Sequence, residues 1–180
     1  MSNEASIQAW IDKARRVVGD EADQASCVGH DLCEQLEGQH FNVALEIGTK
    51  RGMSAMVLAH FAEVVITIDI VRDPLLDAVL ATFNTGLQGH IAPVIVRNDH
   101  DKRLLVRRLD FDMAFVDGEH TYAGCELDFL ITKKCGRVLF HDYPCSSPEH
   151  RGVGMFVDSI DTGTVTAAPP FAWWHADGVS

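Results

Sequence analysis

Two short stretches of the chain crowd acids and imidazoles together: Asp117-Gly118-Glu119-His120 and His141-Asp142-Tyr143. Each follows a brief apolar run, Met113–Val116 and Val138–Phe140, of the kind that forms a buried parallel strand. Side by side, Asp117, His141 and Asp142 offer donors for a divalent cation. His120, with Asp117, is equally suited to general-base work, because imidazole titrates near neutrality. The plainer alternative is that Asp117 caps a helix starting near Tyr122, while His141 and Asp142 bond each other and order their loop.

A second group surrounds a glycine turn, Glu46-Ile47-Gly48-Thr49-Lys50-Arg51-Gly52-Met53-Ser54, which closes the run Val43–Ile47. Gly48 permits a tight turn and close approach of a ligand to the backbone; Gly52 lets the next helix pack near the strand. The next run, Val64–Ile70, contains Asp69, 23 residues after Glu46. A carboxylate at such a strand end can accept both hydroxyls of a ribose. A dinucleotide site wants G-x-G-x-x-G, and here Lys50 stands where the second glycine would clear space for phosphate. The pattern therefore favours a nucleoside cradle, with an ordinary strand-turn-helix junction and a surface aspartate as the alternative.

The elements that must hold these residues alternate. Apolar runs at Val43–Ile47, Val64–Ile70, Ala92–Val96, Met113–Val116 and Val138–Phe140 read as parallel strands. Between them, Met53, Met56, Val57, His60 and Phe61 share one helical face. Asp73-Pro74 opens a helix running to about Phe83. A further helix covers Leu104–Leu109, and Leu127, Leu130 and Ile131 mark another that stops at Lys133-Lys134-Cys135-Gly136. Beyond Pro144, Val153–Ile160 reads as a helix and Thr164–Ala167 and Phe171–His175 as two last strands. Upstream, Ile7, Trp10, Ile11, Ala14 and Val18, then Ala25, Val28, Leu32 and Leu36, give two helices. The predicted architecture is a single α/β domain over 1–180, a doubly wound, mostly parallel sheet of about seven strands with helices on both faces. Residues 1–40 form its helical N-terminal segment, either a lid or plain packing, and 41–180 the sheet core.

Composition narrows the partners. With 26 acids against 15 bases, a net charge of −11 argues against nucleic acid. No apolar run reaches bilayer length, and the polar start Met1-Ser2-Asn3-Glu4 carries no signal-peptide pattern. The five cysteines are odd in number and form no CxxC pair, which suits reduced thiols in a cytoplasmic protein.

Taken together, Glu46-Ile47-Gly48-Thr49-x-x-Gly52-x-Ser54, Asp69, Phe115-Val116-Asp117-Gly118-Glu119-His120-x-Tyr122 and Phe140-His141-Asp142-Tyr143 resemble the class I S-adenosylmethionine-dependent methyltransferases. Within them the chain looks like the small-molecule O-methyltransferase-like branch that carries "IDGDHSYE" and "HDY" motifs. The resemblance spans about Asn42 to Tyr143 and implies a Rossmann-like fold. It further implies that Glu46 and the Gly48-Thr49 backbone, with Gly52 and Ser54, face the methionine end of S-adenosylmethionine. Asp69 would hold the ribose, with Ile70 beside the adenine. Asn98 and Asp99 would lie at the adenine edge; a capped turn is the equal alternative.

The resemblance implies a methyl group moved to a hydroxyl, or another nucleophile, of a small molecule; a catalytically inactive nucleoside-binding module is the alternative. Metal-dependent catechol-type relatives hold magnesium on an aspartate after the fourth strand and an Asp-Asn pair after the fifth. Asp117, His141 and Asp142 stand at those places, and His120 stands where those enzymes have a lysine base. His141 departs from the pattern, and imidazole is a poor magnesium ligand. Manganese, iron or zinc, or no metal at all, fits it better than magnesium does. Oligomeric state is open, a homodimer being one option. Arg151 is a candidate substrate contact. Of the other histidines, His60 reads as packed, and His30, His40, His90, His100, His150 and His175 have no partner at ligand spacing. Trp173-Trp174 reads as core.

Overall fold

The computed structural model describes residues 9, 12–13, 16–17, 23–82, 89–145 and 147–179. The expected first helix, Ile7 to Val18, lies largely outside them. The strands are β1 (Phe41–Ile47), β2 (Ala62–Asp69), β3 (His90–Ile95), β4 (Met113–Val116), β5 (Arg137–Phe140), β6 (Thr164–Ala168) and β7 (Phe171–His175). The helices are α1 (Asp23–Leu36), α2 (Met53–Phe61), α3 (Leu76–Ala81), α4 (Asp99–Val106), α5 (Tyr122–Thr132) and α6 (Arg151–Val157).

All seven strands join one sheet in the order β3-β2-β1-β4-β5-β7-β6, parallel except for β7, which runs against both β5 and β6. The chain lays β2 and β3 on one side of β1, then returns to place β4 on the other. That reversal is a topological switch point, and in such sheets ligands bind in the crevice beyond the strands' carboxyl ends.

Successive strand residues face opposite sides, so two cores form. On one side Ala44, Val65, Met113, Phe115, Leu139, Phe171 and Trp173 pack under α2 and under Leu32 and Leu36 of α1. On the other, Leu45, Ile47, Ala114, Val116, Phe140 and Trp174 pack against Phe129 of α5 and Phe156 and Val157 of α6. Trp173 and Trp174 thus serve opposite faces of one strand. β3 is an edge strand, which is why it tolerates Pro93 and its missing backbone donor.

The helix marked by Leu127, Leu130 and Ile131 forms as α5; its buried residues are Gly124, Cys125, Asp128, Phe129, Ile131 and Thr132, while Leu130 is 54% exposed. Two expectations about helix starts are corrected. α4 spans Asp99–Val106, beginning well before Leu104, because Asn98 caps it by accepting a hydrogen bond from the Asp101 amide at 3.0 Å. In front of α3, Asp73 accepts from Leu75 N at 2.7 Å as expected, but the helix opens only at Leu76. Among the described residues no helix is long and apolar enough to cross a membrane.

One buried ion pair joins α4 to α5: Lys102 Nζ lies 2.6 Å from Asp128 Oδ1 and 2.9 Å from Asp99 Oδ1. Asp128 is fully buried, and desolvation pushes its carboxyl up to about 6 despite the neighbouring ammonium. Removing one partner leaves the other charge stranded in the core. Asp128→Ala is therefore expected to cost about 3–5 kcal/mol of stability in urea denaturation; a cost below about 1 kcal/mol would show that the pair is solvated instead.

Candidate functional site

Four loops meet at the carboxyl ends of β1, β2, β4 and β5. The ladder carries each strand into its loop: Gly48 N donates to Ile68 O at 2.9 Å, Asp117 N to Ile47 O at 2.9 Å, and His141 N to Val116 O at 3.1 Å. Gly48 has φ +101°, and a Cβ built there would lie 2.1 Å from the Asp117 carbonyl oxygen. Only glycine allows the turn after β1 and the loop after β4 to lie against each other. Lys50 also takes a left-handed conformation, φ +44°, and its amide donates to Asp69 Oδ2 at 2.9 Å. The other Asp69 oxygen accepts from Val71 N at 3.0 Å. The carboxylate ending β2 therefore stands directly beside the glycine turn.

Beneath the turn, Glu46 is fully buried. Ser54 and Thr67 hydroxyls donate to its two carboxylate oxygens, and Thr49 Oγ1 pairs with Thr67 Oγ1 at 2.6 Å. Burial, opposed by those two hydroxyls, pushes the Glu46 carboxyl up to about 8. Glu46, Thr49 and Ser54 thus brace the floor of the turn with their side chains. Asp69 stands at the edge of the turn, with exposed Ile70 beyond it. Asn98 and Asp99 lie past the end of β3, and both have structural employment: Asn98 caps α4 and Asp99 pairs with Lys102.

The second cluster assembles around Asp117 and Asp142. His141 Nδ1 lies 2.9 Å and His120 Nε2 3.4 Å from Asp117 Oδ1. His120 Nε2 also lies 3.1 Å from Asp142 Oδ2. Thr121, not Asp117, caps α5, accepting from Gly124 N at 3.0 Å, so Asp117 is left to the histidines. Asp142 has φ +60°, a strained backbone for a residue with a side chain and one often found at functional sites. Two carboxylates holding its ring raise His120 to about 10, against the effect of burial. Burial works against the charges of His141, Asp117 and Asp142, yet mutual pairing raises the imidazole and lowers both carboxyls.

One member was not anticipated. His150, just before α6, places Nδ1 3.0 Å from Asp142 Oδ2 and its ring 4.3 Å from that of His120. Tyr143 and Tyr122 pin the far end of α6, through Asp158 at 2.8 Å and Ser159 at 3.0 Å. His60 is packed against Phe61, and burial lowers it to about 4. Arg151 is exposed. A separate cavity of about 640 Å³, lined by Arg103, Arg107, Leu127 and Trp174 among others, includes none of these site residues.

A sequence-family description, "Methyltransferase domain", matches residues 45–143, just over half of the chain, including the glycine turn, Asp69, Asp117–His120 and His141–Asp142. The chain belongs to this methyltransferase-domain family. The fold agrees: an O-methyltransferase from Bacillus cereus, solved in complex with SAH, superposes with a TM-score of 0.60 at 15% identity, covering 93% of this chain and 90% of that one. The O-methyltransferase TomG from Streptomyces achromogenes, solved with SAM, gives 0.59 at 19% identity over 93% and 89%. A methyltransferase-like protein from Silicibacter pomeroyi gives 0.55 at 18% over 81% and 84%. No curated protein matches the chain in sequence. At these identities the structural likeness speaks for the methyltransferase fold alone.

Two measurements follow from this geometry. Gly48→Ala should abolish the packing of the two loops and lower stability by at least about 2 kcal/mol, through both the positive φ and the clash; a thermal midpoint equal to the unsubstituted protein's would refute the close approach. The second concerns pH. An unfolded glutamate titrates near 4.5 and the folded Glu46 near 8, so the folded state holds the proton more tightly. Stability from this group is lost as pH rises between those values and is constant above them. Glu46→Gln, which does not titrate, should gain stability relative to the natural protein as pH rises from 4.5 to about 8; an unchanging difference would contradict the assignment.

Proposed function

We propose that this methyltransferase binds S-adenosylmethionine in the Gly48–Asp69 cradle and moves its methyl group to a hydroxyl of a small molecule. The observation that carries the reading is the meeting of the glycine turn with Asp69 at the switch point, sealed by the Lys50 amide bond. The pattern fits an adenosyl group. The Asp69 carboxylate keeps lone pairs for two ribose hydroxyls, and Lys50 stands where a dinucleotide turn has its second glycine. The SAH and SAM complexes of the two O-methyltransferases of like fold support the same choice of cofactor. Glu46, Thr49 and Ser54 act in this account from below, holding the turn, and Asn98 and Asp99 border the adenine side.

The cofactor supplies an electrophilic methyl on a sulfonium. The acceptor oxygen bonds to that carbon as the carbon–sulfur bond breaks in line, leaving S-adenosylhomocysteine and a proton to be removed. Such a transfer depends mostly on alignment. The chain's own contribution is the cluster bordering the cradle. Asp117 touches both sides, its carbonyl against Gly48 and its carboxylate among the histidines. His120, oriented by Asp117 and Asp142, is the group we assign to take the acceptor's proton. It does so from the deprotonated form, so its raised affinity for protons makes it a strong base once neutralised. A divalent cation on Asp117, His141 and Asp142, whose ligand atoms lie within 4.8 Å of one another, would instead draw charge from the acceptor oxygen. With the His141 imidazole among the donors, manganese, iron or zinc suits this set better than magnesium does.

Calorimetry with S-adenosylhomocysteine tests the cofactor. Binding is expected, and Asp69→Ala should weaken it at least about tenfold, since charge-assisted hydrogen bonds contribute about 1.5–3 kcal/mol. Absence of binding to the natural protein removes the proposal.

A further inference from the structure

His150 carries the inference. Its imidazole joins a cluster to which the loops after β4 and β5 already contribute two; it comes from the far end of the β5–α6 connection, so three rings from two loops surround two carboxylates. Within this group His120 Nε2, Asp142 Oδ2 and His150 Nδ1 all lie within 4.8 Å of one another. All three side chains are part-buried: 29%, 16% and 33% of their surfaces remain open. They are fixed in place yet reachable by a small ion.

The placement of His150 is enforced by backbone packing. A Cβ added at Gly152 would lie 2.4 Å from His120 O and 2.5 Å from Tyr122 N. The bare glycine lets the start of α6 press against the very loop that carries His120. His150, two residues earlier, is thereby delivered over Asp142, while the left-handed backbone of Asp142 turns its carboxylate to meet both rings. A surface ion pair needs neither device.

We propose that His120, Asp142 and His150 form a two-histidine, one-carboxylate site for a transition-metal ion of the zinc, cobalt or iron type, with Asp117 and His141 as its neighbouring supports. Imidazole nitrogen suits such ions, whereas magnesium demands oxygen ligands and keeps its waters. Three protein donors on one side of an ion leave positions open for an oxygen from a substrate. The assignment deepens the reading above and changes one part of it, because a nitrogen that ligates an ion is not available as a base. The catalytic use of the ion rests on the methyltransferase reading; its binding does not.

Untagged full-length protein, stripped with EDTA, is titrated with Co2+ and separately with Mg2+, following visible absorption and heat. One Co2+ per chain with the absorption bands of nitrogen ligation is expected, and Mg2+ should bind at least about 100-fold more weakly. His150→Ala and His120→Ala should each weaken Co2+ at least about tenfold and change the bands. His150→Asn, closer in size and polarity, should behave as His150→Ala does, and circular dichroism verifies that each variant is folded. Asp69→Ala should leave Co2+ binding untouched. No Co2+ binding, tighter Mg2+, or bands indifferent to residue 150 in folded variants would overturn the site. S-adenosylhomocysteine titrated into the same metal-free protein separates the two readings: its failure to bind while Co2+ still does would sink the cradle and spare the ion.

Discussion

Residue 48 has no room for a side chain: the Gly48 backbone, at φ +101°, runs against the carbonyl of Asp117, where a Cβ would sit 2.1 Å away. That contact is the joint on which the site turns. It brings the glycine turn after β1 against the loop after β4, which carries Asp117 and His120. The switch in strand order makes the two strands neighbours, and the absent side chain makes their loops touch. Buried hydroxyl-to-carboxylate bonds at Glu46 stiffen the turn from beneath, and the Lys50 amide bond to Asp69 closes it from the side.

Charge is distributed to match. A chain of net charge −11 keeps a group of three imidazoles where two carboxylates converge, so the rings neutralise the acids that the loops would otherwise leave facing each other. The same pairing restrains His120, His141 and His150 in geometry. Opposite effects of burial and pairing act on Asp117, His120, His141 and Asp142, and pairing prevails at each. At Glu46 and Asp128 burial prevails, and both serve as internal struts.

Much of this was legible in the order of residues. Short Val- and Ile-rich runs, each followed by a helical stretch, gave the parallel sheet, and the glycine turn with Asp69 marked its crevice. Asp117, His120, His141 and Asp142 stood out because they directly follow strands, where position in the chain predicts position in space. His150 did not, since it lies nine residues past His141 in a loop without periodicity. Its place is set by Gly152 packing on the His120 loop, a contact no spacing encodes. The inward-facing acid Asp128 of α5 was not legible, because Leu127, Phe129 and Leu130 around it are apolar. That acid faces inward only because Lys102 of α4 meets it. The capping role of Asn98, by contrast, was legible as one of its two readings.

The central claim is that the turn after β1 and the acid ending β2 together hold an adenosyl group. A crystal structure of the protein with S-adenosylhomocysteine tests this most directly. The account predicts the ribose hydroxyls on the Asp69 carboxylate, the amino-acid end along the Gly48 backbone, and the sulfur directed at the Asp117–His120 cluster. Density for the ligand elsewhere, as in the cavity beside Arg103 and Arg107, or a ribose turned away from Asp69, would contradict it.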